Sequence, residues 1–176
     1  MERKYYSGGE GEPPIWIQPI IENGRMFDAD FFNFTNMLDW ENQSMDEAVL
    51  EPLIAFLAKW GDNVIFAFHD KMTELLYSLD TYNIAKHIIE SSDYFSSDAF
   101  LYARCVALIN GKPYYNAILK GRKKLSVDSE FESILYVPMK AWERLHNKDS
   151  DKYPHVSELS YETYSNKGGW ENSPLT

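Results

Sequence analysis

Apolar residues recur at helical spacing along most of this chain, and that periodicity constrains the fold more than any other feature. The pattern begins at Asp28 and runs to Leu145, and glycine or proline residues interrupt it at short intervals. It divides into seven segments, which cover residues 28–40, 44–61, 62–79, 80–92, 96–111, 113–121 and 128–145. We therefore predict an all-α fold, a single compact domain of about seven helices.

The two ends of the chain lack this periodicity. Residues 1–25 contain "GGEGEPP" and one further proline, Pro19, inside the apolar piece that follows, a pattern typical of an extended N-terminal arm. Residues 147–176 are polar and end in "NKGGWENSPLT". We predict an arm over 1–25, the all-helical domain over 26–146, and a loosely packed polar tail over 147–176.

The composition favours an acidic protein of the cytoplasm. The net charge of −10 repels phosphate groups, so we expect neither a nucleic-acid partner nor an anionic membrane partner. The chain has no apolar run near the ~18 residues of a membrane helix, and its start has no apolar signal core. Its single cysteine, Cys105, lies in an apolar segment and is predicted to be a buried, unreactive thiol.

No common catalytic or metal-binding motif occurs in the sequence. His69 and Asp70 match part of the His-Asp pair of metal-dependent phosphohydrolases, but no histidine precedes them, so we interpret them as exposed helix positions. His87 and Glu90 have the i, i+3 spacing of two metal ligands, without an evident third ligand. We predict no catalytic residue, no metal and no cofactor.

Two segments carry charge of a single sign. Residues 120–124, "KGRKK", are either a phosphate-binding patch or solvated cations that complement a helix C-terminus, and we favour the second interpretation. Between Met26 and Ala58 the chain has seven acids and no lysine or arginine. These acids are either ordinary helix caps or a surface for a basic partner. The residues predicted to contact such a partner are Asp39, Trp40, Glu41, Asp46, Glu47 and Glu51.

Arg104 is a permanent cation within an apolar helix, "SSDAFLYARCVALINGK". A buried guanidinium must be paired, and Asp80, Glu74 and Glu90 are the candidate partners. The alternative is a clamp for an anionic ligand, with Asp98 and Tyr102 close to Arg104 and His87 in the same pocket. We favour the structural ion pair.

Three stretches resemble an uncharacterised bacterial family, DUF4240, over roughly residues 27–146. They are Asp30-Phe31-Phe32, the set Ser97, Asp98, Phe100, Tyr102, Arg104 and Gly111, and "FESILYVPMKAWERL". The resemblance implies a helical fold and no established activity. Small acidic helical proteins of this kind also occur beside bacterial toxin genes, which implies an immunity role.

Two functions from different classes follow from these observations. The first is a non-enzymatic immunity protein, or antitoxin, that binds a basic toxin through its acidic helices. The second is an enzyme or small-ligand domain with a pocket around Arg104. The absence of a catalytic motif favours the first.

Overall fold

The structure, a computed structural model, describes residues 21–42, 45–91, 94–126 and 128–174. Most of the predicted N-terminal arm, residues 1–20, lies outside the described residues. The rest of the arm forms an antiparallel hairpin, with β1 at Ile21–Glu22 and β2 at Arg25–Met26. Asn23 and Gly24 connect the strands with φ values of 51° and 76°, the left-handed conformation that tight hairpin turns require.

Eight α-helices follow the hairpin within the described residues, and the predicted all-α fold is confirmed. They are α1 (Asp28–Thr35), α2 (Asp46–Trp60), α3 (Asp62–Leu79), α4 (Tyr82–Ser91), α5 (Ser97–Ile109), α6 (Lys112–Leu119), α7 (Val137–His146) and α8 (Lys167–Trp170). Short 3₁₀ helices occupy Trp40–Asn42, Glu132–Tyr136 and Ser150–Lys152. Each of the seven predicted segments contains one helix, and α8 is an additional turn.

Proline has different effects on two of these helices. Pro52 lies inside α2 without ending it, although its ring nitrogen cannot donate to the carbonyl one turn earlier. Pro138 is instead in the first turn of α7, where the missing N–H has no helical partner anyway. The predicted helix over 128–145 is therefore a 3₁₀ turn followed by α7.

The described chain divides into two compact units. Unit 1 comprises Met1–Lys71 and Ser133–Val156, and unit 2 comprises Met72–Glu132 and Ser157–Thr176. In unit 1, α2 packs along α7, and the core contains the stacked rings of Phe31 and Phe68, whose centroids are 4.8 Å apart. No helix among the described residues is long and apolar enough to cross a membrane.

The core of unit 2 includes residues from the predicted tail. Trp170 is 1 % exposed, and its ring packs against those of Phe100, Phe95 and Tyr164. The prediction of a loosely packed tail is therefore wrong for this stretch. The tail has little regular structure, but its aromatic side chains bury apolar surface, and its backbone is hydrogen-bonded to a buried side chain described below.

Candidate functional site

The first group of predicted contact residues forms a short turn at 39–41, which we call the acidic turn. The Asp39 carboxylate accepts hydrogen bonds from the Glu41 backbone N–H at 3.1 Å and from the Asn42 side chain at 2.7 Å. The Asp39 backbone N–H donates to the Val49 carbonyl in α2. Trp40 is half-buried and Glu41 is exposed. Asp39 thus fixes the turn, and Glu41 is the charge that the turn presents to solvent.

The second group lies along α2, where three exposed acids face α7 and the turn before it. Glu47 accepts a hydrogen bond from Lys140 at 2.9 Å, and Glu51 accepts two from Arg144 at 2.7 and 2.8 Å. Both acids and both bases are four residues apart on their helices, so the pairs form two successive rungs. Asp46 accepts from the Ser133 hydroxyl at 2.6 Å.

These pairs change the electrostatic interpretation of the acidic run. The run has no base in its own sequence, but α7 supplies Lys140 and Arg144 from 93 residues further along the chain. The hydrogen bond and charge of Lys140 lower the pKa of Glu47, and the hydrogen bonds that Arg144 donates to Glu51 raise the pKa of Arg144. Glu47 is 84 % exposed, so water screens its pair strongly. The acids on α2 therefore remain accessible to a competing cation.

The acids at the start of the run are less accessible. Asp28 forms an ion pair with Lys71 of α3 at 3.1 Å. Asp30 is half-buried, and partial burial raises the pKa of its carboxyl group. The exposed negative surface of this run consequently lies at Glu41 and the α2 acids.

Arg104 lies at the centre of unit 2 with no exposed surface. Its guanidinium donates to the Leu76 carbonyl at 3.0 Å and to the Thr163 hydroxyl at 2.9 Å. Its Nη1 is 3.9 Å from the Asp80 carboxylate, and its carbon lies 4.8 Å above the centre of the Phe100 ring. Burial lowers the pKa of Arg104 to about 10, while the charge of Asp80 opposes that shift. The buried guanidinium of Arg104 thus connects α5, which carries it, to α3 and to the tail.

Asp80, one of the three predicted partners, holds the tail in place. Its carboxylate accepts hydrogen bonds from the Trp170 indole at 2.8 Å, the Asn166 backbone at 3.0 Å, the Tyr164 backbone at 3.2 Å and the Ser165 hydroxyl at 3.3 Å. Asp80 is also fully buried. Four donors and a nearby guanidinium offset the desolvation of this carboxylate.

The other residues predicted to accompany Arg104 lie elsewhere. Asp98 is exposed in the first turn of α5, where it accepts from the Ser97 hydroxyl. Tyr102 is half-buried on the same helix, two residues from Arg104 and therefore on a different face. Glu74 is exposed, and Glu90 forms an ion pair with Lys86 of α4.

A family model described as "Protein of unknown function (DUF4240)" matches residues 26–144. The chain belongs to the DUF4240 family. The suspected resemblance is thereby confirmed, while neither the curated proteins nor the solved structures contain a match.

The DUF4240 match includes Asp80 and Arg104 but ends before the tail residues that cover them. The sequence pattern does not single out Thr163 and Trp170, because the polar segment that contains them has no apolar periodicity. A tryptophan in a polar tail together with three tyrosines, Tyr153, Tyr161 and Tyr164, is the signal that could have identified its packing.

The His-Asp pair of this DUF4240 protein is half-buried, with 43 % of the Asp70 side chain exposed, and both residues have side-chain partners that the interpretation as exposed helix positions did not include. His69 shares a hydrogen bond of 3.1 Å with the Tyr153 hydroxyl, and Asp70 accepts from His155 at 2.8 Å. The His155 ring also stacks on Phe66, with centroids 4.6 Å apart. The two residues therefore fasten the segment after α7 to α3 within unit 1.

The structure also shows the positions of Cys105 and of His87, a candidate metal ligand. Cys105 is fully buried, as predicted, and burial raises the pKa of its thiol to about 12. His87 contacts the Leu125 carbonyl at 2.9 Å. Within the described residues, no three His, Cys, Asp or Glu side chains are grouped closely enough to hold a metal ion.

Proposed function

We propose that this DUF4240 protein is a non-enzymatic immunity protein, which binds a basic protein toxin and neutralises it in the cytoplasm. The observation that carries the proposal is the exposed acidic surface of unit 1. This surface consists of the acidic turn together with Asp46, Glu47 and Glu51. Glu41, Asp46, Glu47 and Glu51 of this surface are all exposed.

Electrostatics supports a basic partner. Toxins that cleave nucleic acids need lysine and arginine to hold phosphates, so their active surfaces are positively charged. A partner with a net charge of −10 would be steered toward such a surface and would cover it. Half-buried Trp40, next to Glu41, offers an aromatic anchor at the edge of the acidic surface.

The ion pairs with α7 support an exchange of partners on binding. Glu47 and Glu51 are held by exposed cations, so a toxin's lysine or arginine could replace Lys140 or Arg144 with little loss of folding free energy. Removal of both α7 cations, in K140A/R144A, should therefore strengthen binding. The matched control K148A/K152A removes two exposed cations of the same unit that touch none of the α2 acids, and should strengthen binding less.

Co-expression with the protein encoded by the adjacent gene tests the proposal. The wild-type protein should restore growth to a host that the adjacent gene product inhibits. The triple variant E41K/E47K/E51K should fail to do so while it still unfolds cooperatively. The control E143K/D149K/D151K makes the same change in charge at other exposed acids of unit 1 and should still restore growth.

Two outcomes would contradict the proposal. Wild-type protein that neither binds the adjacent gene product nor restores growth would remove its basis. Equal behaviour of the two triple variants would show that the acidic surface is not the contact. The alternative of a ligand pocket around Arg104 is not favoured, because its guanidinium has no exposed surface.

A further inference from the structure

Unit 2 contains a cavity of about 460 Å³ beside the basic segment "KGRKK". Helix α4 forms one side of the cavity, and the end of α6 with the loop after it forms the other. The residues that line it include Lys86 and His87 from one side and Lys120, Lys123 and Lys124 from the other.

The charge of this cavity is opposite to that of the protein as a whole. Four lysines line it against one acid, Glu90, which lies 3.7 Å from Lys86. Within the described residues, no carboxylate is within ion-pair distance of Lys120, Lys123 or Lys124. A local excess of positive charge in a protein of net charge −10 favours an anionic ligand at this position.

Specific contacts fold the basic loop against α4. The backbone N–H groups of Arg122 and Lys123 both donate to the Ala117 carbonyl, at 2.8 and 3.1 Å. Leu125 is 4 % exposed, and its carbonyl contacts the His87 ring at 2.9 Å. The lysines therefore project from a loop fixed at both ends, and their convergence with Lys86 follows from that packing.

The cavity also has an apolar part. Ile84 and Ile118 line it, and Leu119 is 43 % exposed at its edge. Lys123 extends over the Tyr114 ring, with its ammonium 4.2 Å from the ring centre. This contact leaves Lys120 and Lys124 as ammonium groups available for a ligand, and Lys86 can join them because its ion pair with Glu90 is exposed and weak.

We propose that this cavity binds a small organic phosphate of nucleotide size. Its phosphates would lie among Lys86, Lys120 and Lys124, and its apolar or ring portion would lie on Ile84 and Leu119. Several ammonium groups suit the multiple charges of a phosphate chain, and the volume is within the usual range for small-ligand sites. The site shares no residue with the acidic surface and does not depend on the proposed immunity function.

Calorimetric titration of the full-length protein with ATP, with pyrophosphate and with a single-stranded RNA tests this site. ATP should bind, and K120A/K124A should weaken its binding at least tenfold. The control K112A/R122A removes two exposed cations at the ends of α6 that do not line the cavity, and should change the affinity less than threefold. L119S should weaken the binding of ATP and leave the binding of pyrophosphate unchanged, because only ATP has a ring that can pack on Leu119.

Several results would overturn the proposal. One is the absence of ATP binding at millimolar concentration, and another is an equal effect of the two double variants. RNA binding that depends on Lys120 and Lys124, in the absence of ATP binding, would assign the patch to nucleic acid instead. If pyrophosphate binds as tightly as ATP, the site recognises only the phosphates, and the proposal of an organic phosphate is wrong. Thermal melting of each variant shows whether it is folded, so that weaker ligand binding is not mistaken for loss of folding.

Discussion

The Asp80 carboxylate accepts a hydrogen bond of 2.8 Å from the Trp170 indole, which lies 90 residues further along the chain. Both side chains are buried, and the same carboxylate faces the guanidinium of Arg104. One acid at the end of α3 thus binds the tail and compensates a buried cation. The stability of unit 2 should depend strongly on this residue.

Substitution of Asp80 by Asn should destabilise the protein by about 3–5 kcal/mol, because it leaves the buried charge of Arg104 without its compensating carboxylate. Chemical denaturation measures this change. D98N removes an exposed acid from the same unit and should change the free energy of unfolding by less than about 0.5 kcal/mol. If D80N lowers the free energy of unfolding no more than D98N does, the proposed compensation of Arg104 by Asp80 is contradicted.

The two glycines of α8 provide a matched test of tail packing. A Cβ atom on Gly169 would lie 2.9 Å from the Asp80 carbonyl and 2.8 Å from the Thr81 methyl group, whereas a Cβ atom on Gly168 would meet nothing within 4 Å. G169A should therefore lower the free energy of unfolding by about 1–3 kcal/mol, because the added methyl group overpacks this site. G168A should be neutral or slightly stabilising. Equal melting temperatures for the two variants would show that the tail does not pack as described.

The Glu51–Arg144 pair should contribute little to folding although its geometry is bidentate. Both side chains are about half exposed, at 54 % and 43 %, so E51Q should cost at most about 1 kcal/mol. Urea denaturation of E51Q beside D80N gives the comparison directly. A cost above about 2 kcal/mol would mean that Glu51 is fixed for stability and is not free to exchange partners.

The stability of the protein should fall as the pH decreases below about 6.5, in part through His69. Burial lowers the pKa of His69, the nearby His155 lowers it further, and Asp70 opposes the shift. In the unfolded chain His69 therefore binds a proton near its ordinary pKa of 6.5, whereas in the folded chain it binds the proton only at a lower pH. This contribution is present above pH 6.5 and is lost as the pH falls toward the lowered value.

Denaturation of wild type and H69Q between pH 7.5 and 5 measures this contribution. The variant should be less stable at neutral pH and should show a shallower fall on acidification. H87Q leaves the cluster of His69, Tyr153 and His155 in place and should retain the wild-type slope. Identical slopes for wild type and H69Q would exclude His69 as a source of the pH dependence.

The helical fold could be predicted because its causes are local. The apolar spacing within each segment indicates where a helix lies, and in α5 the Ser96 hydroxyl also caps the start of the helix by accepting from the Ala99 backbone N–H. Burial of Arg104 also followed from its apolar neighbours. The Asn23-Gly24 pair is also a local signal, because asparagine followed by glycine favours the two-residue turn of a hairpin.

The contacts that could not be predicted join residues far apart in the chain. The partners of Glu47 and Glu51 lie 93 residues away on α7, and periodicity within α2 contains no information about them. Lys120, Lys123 and Lys124 line one cavity with Lys86, and the contact between the Leu125 carbonyl and His87 joins the loop that follows α6 to α4. Charge runs in the sequence therefore show where charges are concentrated but not which partners they have.

The most direct measurement of the proposed function is the dissociation constant between the purified protein and the product of its adjacent gene. We predict that E41K/E47K/E51K weakens binding at least a hundredfold at low salt and that E143K/D149K/D151K weakens it less than fivefold. The difference should shrink as salt rises, because screening reduces charge interactions at an exposed surface. Equal dissociation constants for wild type and E41K/E47K/E51K would contradict the proposal that the acidic surface binds the partner.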